Sequence, residues 1–176
     1  MVDDKKKCIF VHPQNCYLDR VTDTLGATEE QKQDHRKAID LSAIKKYDKY
    51  FKFTFSRNPW ERLTLIYQSE KDRLKAKAPT FEDFILTTEA EGSLAPEQGQ
   101  WIRINQYYTM DFVGKIETFE DDWATLMGLA KLKIKLPEVP KTRKKDYRKL
   151  YNDELIDVVA KKYYFDIDFF GYKFGK

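Results

Sequence analysis

Arg57 is the residue best placed to hold an anion, because of what stands on either side of it. It follows Lys49-Tyr50-Phe51-Lys52-Phe53-Thr54-Phe55-Ser56, in which Phe51, Phe53 and Phe55 alternate with Lys52 and Thr54. That two-residue period predicts a strand. Asn58-Pro59 breaks it, and Pro59 suits the first turn of a helix, where its missing N–H costs nothing. Trp60, Leu63, Ile66 and Tyr67 then recur at helical spacing. In open parallel sheets ligands bind beyond the carboxyl ends of the strands. A helix start offers free N–H groups to an anion, and a guanidinium adds a forked, charge-assisted contact. The pattern points to a phosphate site. A purely structural alternative is an ion pair of Arg57 with Glu61 or Asp111.

Other chemistry-bearing residues are fewer. Lys141, Arg143, Lys144, Lys145, Arg148 and Lys149 form one dense basic cluster. It reads either as a solvated loop or as one wall of an anion site. The two histidines are far apart. His12 closes an apolar run and reads as structural. His35 stands in the polar stretch Gln-Lys-Gln-Asp-His-Arg-Lys, where an imidazole is either simply exposed or a base. Cys8 and Cys16 are too few for a disulfide framework, and no CxxC or HExxH metal pattern occurs. No Gly-x-x-x-x-Gly-Lys-Ser/Thr is present, which argues against a nucleoside-phosphate kinase. A formal net charge of +3 over 176 residues gives no case for nucleic acid. The apolar run Cys8–Val11 is too short for a signal core or a membrane span, so a cytoplasmic protein is expected.

The elements that must position these residues alternate between strand and helix. Cys8–Val11, ended at His12-Pro13, reads as a buried strand. Asn15–Leu25 suits a helix stopped by Gly26. Thr28–Ile39 is either helix or solvated connection. Thr80 caps a helix with Asp83 at its third position. Glu89–Gln100 reads as a loop, Trp101–Gln106 as helical, and Met110–Ile116 as a second good strand. Glu120, Asp121 and Asp122 open another helix, where its dipole favours acids. Asn152 caps the last long helix, with Leu155, Val158, Val159 and Tyr163 as its apolar stripe. The aromatic tail Ile167–Phe174 should pack back on the core. This alternation predicts one α/β domain over residues 1–176 with a parallel sheet.

Three segments in register resemble the carbohydrate sulfotransferases of the Golgi type and their bacterial relatives. Phe53-Thr-Phe-Ser-Arg-Asn-Pro-Trp-Glu-Arg-Leu63 resembles the family's 3′-phosphate segment, with Tyr67 as the aromatic that follows. Asp111-Phe-Val-Gly-Lys-Ile-Glu-Thr-Phe-Glu-Asp-Asp122 is similar to its Phe-Val-Gly-Arg-Phe-Glu segment. Asp146-Tyr147-Arg148, Tyr151, Asp153-Glu154-Leu155 and Asp166-Ile167-Asp168-Phe169-Phe170-Gly171-Tyr172 match its end. The resemblance spans roughly residues 49–174. It implies a P-loop-NTPase-like three-layer α/β fold with a small central parallel sheet flanked by helices.

The resemblance also implies a function. The donor would be 3′-phosphoadenosine 5′-phosphosulfate (PAPS), leaving adenosine 3′,5′-bisphosphate. The sulfuryl group would pass to a hydroxyl of a carbohydrate or similar acceptor. Arg57 takes the place of the 3′-phosphate arginine. His35 lies upstream of it at about the interval of the catalytic histidine in the related heparan 2-O-sulfotransferases. The nucleotide would also be met by Gln14, Asn15 and Arg20 of the first loop, by Thr64, and by Lys144 and Arg148 of the basic cluster. Two positions depart from the family. Gln14 replaces the lysine of the 5′-phosphosulfate loop, which here lacks glycines and carries Tyr17 and Asp19. Leu65 stands where a serine belongs, eight residues after Arg57. These departures keep a second reading open, a sulfotransferase-fold protein that binds a nucleotide, an anion or a protein without turnover.

Overall fold

The computed structural model describes residues 1–13, 19–32, 44–104, 107–137 and 146–175. In chain order its elements are β1 (Val2–Asp3), β2 (Cys8–Phe10), α1 (Asp19–Thr24), α2 (Glu29–Lys32), β3 (Phe51–Ser56), α3 (Pro59–Leu74), α4 (Phe81–Ala90), α5 (Gly99–Ile102), β4 (Arg103–Ile104), β5 (Tyr107–Tyr108), β6 (Phe112–Lys115), α6 (Phe119–Leu129), α7 (Asp153–Lys162) and α8 (Tyr164–Phe170). Residue contacts group them into two compact units. One comprises residues 1–57 and 98–140, the other residues 58–97 and 141–176.

The first unit holds a four-stranded sheet in the order β1-β2-β3-β6. β2, β3 and β6 run parallel, and β1 is antiparallel at the edge. This is the small, mostly parallel sheet expected of a P-loop-like α/β fold. Phe53 sits beside Phe10 on one side and Phe112 on the other. β3 is therefore central, and Phe53, Thr54, Phe55 and Ser56 are all buried. Its phenylalanines alternate with polar residues, and Thr54 among these is only 1% exposed. The sheet is covered on both sides there, as parallel sheets are.

One side chain fixes the start of β6. Asp111 donates its N–H to the Lys52 carbonyl at 2.8 Å and accepts the Lys52 N–H on Oδ2 at 2.7 Å. Phe55 packs against Phe119 and stacks on Trp123, with centroids 4.8 and 6.1 Å away. Gly114 faces that ring so closely that a Cβ there would lie 2.6 Å from Phe55 Cδ1. The glycine is needed for space rather than for an unusual backbone angle. Gly26, at φ +76°, stands just past α1, where a stop is expected.

One helix expectation holds over its described residues in this part of the chain, and another changes. Asn15–Leu25 is helical over Asp19–Thr24, and residues 14–18 lie outside the described part. The helix expected over Trp101–Gln106 ends at Ile102. Arg103 and Ile104 then pair antiparallel with Tyr108 and Tyr107. A β-branched residue and two tyrosines favour that extended pairing over another helical turn.

The second unit is helical. Asn58 caps α3 by accepting the Trp60 N–H on Oδ1 at 3.1 Å, and Pro59 takes the first turn. Thr80 and Asn152 cap α4 and α7 in the same way, through Asp83 N–H at 3.1 Å and Leu155 N–H at 2.9 Å. Trp60, Leu63, Tyr67, Ile85, Leu155, Val159 and Tyr163 are buried in its core. Fully buried among them is Arg62, which donates from Nη1 to the Pro96 carbonyl at 2.8 Å. Tyr163 donates its hydroxyl to the neighbouring Ala95 carbonyl at 2.5 Å.

Part of the aromatic tail proves to be a helix. α8 covers Tyr164–Phe170, with Phe165 and Phe169 stacked one turn apart, and closes on Gly171 in the left-handed region. Tyr172 N–H returns to the Ile167 carbonyl at 2.9 Å. This is a glycine-terminated helix end of the usual kind. Tyr172 packs back as expected, at 6% exposure.

Candidate active site

The parallel strands deliver their last residues to one edge of the sheet. β2 continues through Val11, whose N–H donates to the Phe53 carbonyl at 2.9 Å, to His12 and Pro13. His12 is buried and its ring stacks on Phe10 at 5.7 Å. β3 ends at Ser56, whose hydroxyl donates to the Gly114 carbonyl at 3.3 Å, and Arg57 follows. β6 ends at Lys115, whose N–H donates to Asp122 Oδ2 at 2.7 Å, and the Thr118 hydroxyl donates to the same oxygen at 2.8 Å.

Arg57 is held from a distant part of the chain. Gln98 accepts the Arg57 N–H on Oε1 at 2.8 Å and donates from Nε2 to the Arg57 carbonyl at 2.8 Å. Its amide thus acts as a piece of neighbouring strand where no strand runs. Arg57 is 3% exposed and Gln98 1%. A guanidinium so far removed from water interacts more strongly with any anion that reaches it. The ion pair with Asp111 does not hold. Asp111 is bonded at Lys52, five residues back along the strand, which is about 16 Å at the strand rise.

The other expected site residues are placed as follows. Gln14, Asn15, His35 and Lys144 lie outside the described residues, and Arg20 is the second residue of α1. Thr64 lies on α3 and donates its hydroxyl to the Trp60 carbonyl at 3.1 Å, one turn back. Tyr151 donates to that same carbonyl at 2.9 Å. Arg148 is exposed and forks onto Asp146, Nε to Oδ1 at 2.5 Å and Nη2 to Oδ2 at 3.0 Å. That pairing holds the Asp146 carboxyl below the ordinary range. Burial drives the Tyr151 and Tyr163 phenols well above theirs, the Arg62 charge acting against this at Tyr163. Both remain hydroxyl donors at neutral pH.

Sequence reasoning missed Gln98 and the use made of Arg62. Gln98 sits in Pro96-Glu-Gln-Gly-Gln, a run that reads only as loop. Arg62 belongs to the segment that resembles the family's 3′-phosphate site, but its side chain donates to the Pro96 carbonyl.

A small, mostly parallel sheet whose central strand runs into the buried Arg57 defines an α/β protein. The sulfotransferase family model matches the chain over residues 11–173. That is nearly its whole length, and the chain belongs to the sulfotransferase family. It is a transferase, and its class of reaction is the transfer of a sulfuryl group. No curated protein and no solved structure matches the chain. No helix among the described residues is long and apolar enough to cross a membrane.

Proposed function

We propose that the protein transfers the sulfuryl group of PAPS to a hydroxyl of a carbohydrate or similar acceptor. The observation that carries this reading is Arg57. It directly follows the central strand of a sulfotransferase sheet, inside the segment that resembles the family's 3′-phosphate site, with its backbone N–H and carbonyl both held by Gln98. A buried guanidinium at that position fits the 3′-phosphate of adenosine 3′,5′-bisphosphate, which it would meet with two parallel N–H···O contacts. Bound PAPS supplies the activated sulfuryl group. The chain's own residues do the rest: Arg57 fixes the nucleotide, and His35 takes the proton from the acceptor hydroxyl. Arg20, Asn15, Lys144 and Arg148 add donors around the phosphosulfate, and Thr64 adds a hydroxyl.

The test begins with titration calorimetry of adenosine 3′,5′-bisphosphate. Arg57→Ala should weaken binding roughly 10- to 150-fold, the worth of about 1.5–3 kcal/mol for hydrogen bonds to a charged group. Turnover is then read with labelled PAPS and a panel of glycans. His35→Ala should abolish it and leave bisphosphate affinity unchanged.

Gln14 and Leu65 favour the second reading, a member that binds the nucleotide without turnover. Leu65 is half-buried on α3 and offers no hydroxyl. Bisphosphate binding that depends on Arg57, with no transfer to any acceptor, would establish it. A wild-type chain that binds no bisphosphate would sink both readings.

A further inference from the structure

The segment after Gly171 does more than close the chain onto a core. Asn58 uses both ends of its amide. Its Oδ1 caps α3, and its Nδ2 donates to the Lys173 carbonyl at 3.0 Å. The next residue, Phe174, puts its ring among three others: Trp60 at 5.7 Å, Tyr147 at 5.7 Å and Tyr151 at 5.4 Å, all edge-on. Gly175 then donates its N–H to the Tyr147 hydroxyl at 2.8 Å and lies 3.2 Å from Arg148 Cδ, measured from where its own Cβ would be. Trp60 is bound further, from Nε1 to the Ile156 carbonyl at 3.3 Å, and its carbonyl takes the Tyr151 and Thr64 hydroxyls. Asn58 and Trp60, at the start of α3, are thus tied, directly or through Tyr151, to residues 173–175.

We infer that residues 173–175, through Phe174, are a positioning strap for the start of α3, and that nucleotide affinity depends on it. This rests on the reading of the Phe53–Leu63 segment as the 3′-phosphate site. Asn58 follows Arg57 directly, so the cap and the proposed phosphate ligand are adjacent in the chain. A binding group must be held to within a fraction of an ångström by its supporting shell. Asn58 gets that support from a carbonyl 115 residues away. Edge-on aromatic pairs contribute beyond the area they bury, and three of them converge on one ring. The family match ends at residue 173. The ring and the Gly175 N–H therefore lie past the part of the chain that matches.

The experiment uses the full chain and reads two quantities together. Calorimetry with adenosine 3′,5′-bisphosphate gives affinity, and amide hydrogen exchange gives protection over residues 60–63 and 53–56. Phe174→Ala should weaken binding about tenfold and speed exchange over 60–63, while β3 keeps its protection. Phe174→Tyr keeps an aromatic ring and should stay within about twofold of wild type. Should Phe174→Ala fail to fold, Tyr147→Phe removes only the hydroxyl that receives Gly175, with an expected loss of about threefold. Unchanged affinity in Phe174→Ala overturns the positioning role, whether or not exchange over 60–63 has quickened. Unchanged exchange over 60–63 overturns the strap itself, even if the wild-type chain binds no bisphosphate. That last result alone would remove the nucleotide reading and the positioning role with it, and leave the exchange measurement to judge the strap.

Discussion

Gln98 and Arg62 show how two side chains can spend their polar groups on backbone. Gln98 satisfies both the N–H and the carbonyl of Arg57. Gln98→Glu keeps the acceptor but loses the donor, so the buried Arg57 carbonyl loses its partner there. An unsatisfied buried group costs about 1–3 kcal/mol, and denaturant titration should show the loss. Arg62→Met removes a fully buried guanidinium with its bond to Pro96. The Pro96 carbonyl then loses that donor, at a cost of about 1–3 kcal/mol. A chain that melts as wild type after that change would contradict the role given to Arg62. Cys8 sets an alkaline limit. Burial, with the Asp3 charge, pushes its thiol up to about 11 from an ordinary 9. The native state therefore keeps its proton where the unfolded chain loses it. The stability from the neutral thiol is complete below pH 9 and is lost as pH rises from 9 through 11. Cys8→Ala should flatten that part of a stability-against-pH curve. Arg57 was legible in the sequence because its strand, its break and its helix start are neighbours in the chain. Gln98 was not, because it meets Arg57 across 41 residues and no local spacing marks it.

Helix starts were the most legible elements, again because a cap is a local device. Asn58, Thr80 and Asn152 each accept an N–H two or three residues ahead. Thr80→Ala and Asn152→Ala should each cost about 1 kcal/mol, measurable as separate and additive shifts in the denaturation midpoint. The parallel strands were legible from their apolar runs and the stops at Pro13 and Pro59. What failed was the helix expected over Trp101–Gln106, which ends at Ile102. Tyr107-Tyr108 became a strand and Tyr164–Phe170 a helix, and composition does not separate them. Partners decided: the backbones of Tyr107 and Tyr108 pair with those of Ile104 and Arg103. In α8, Asp166 and Phe170 face inward one turn apart. In β3 the alternation shows which residues share a face but not what covers the other one, and Thr54 is buried.

At the scale of the molecule, each compact unit is built from two separate stretches of sequence. Neither unit exists as a continuous piece, so cutting the chain after residue 57 or 97 isolates neither. We expect a single cooperative unfolding transition for residues 1–176. Scanning calorimetry that resolved two transitions would instead make the units independent domains. The pairing of β3 with β6 also has a consequence on the ribosome. β2 and β3 can join as soon as Ser56 emerges, but the second edge of β3 waits for Phe112. Roughly 55 residues must be added first, about 3–11 s at a translation rate of about 5–20 residues per second. For that interval the nascent chain presents Phe51, Phe53 and Phe55 on a strand with one open side. The arrival of Phe112 is the event that closes that side.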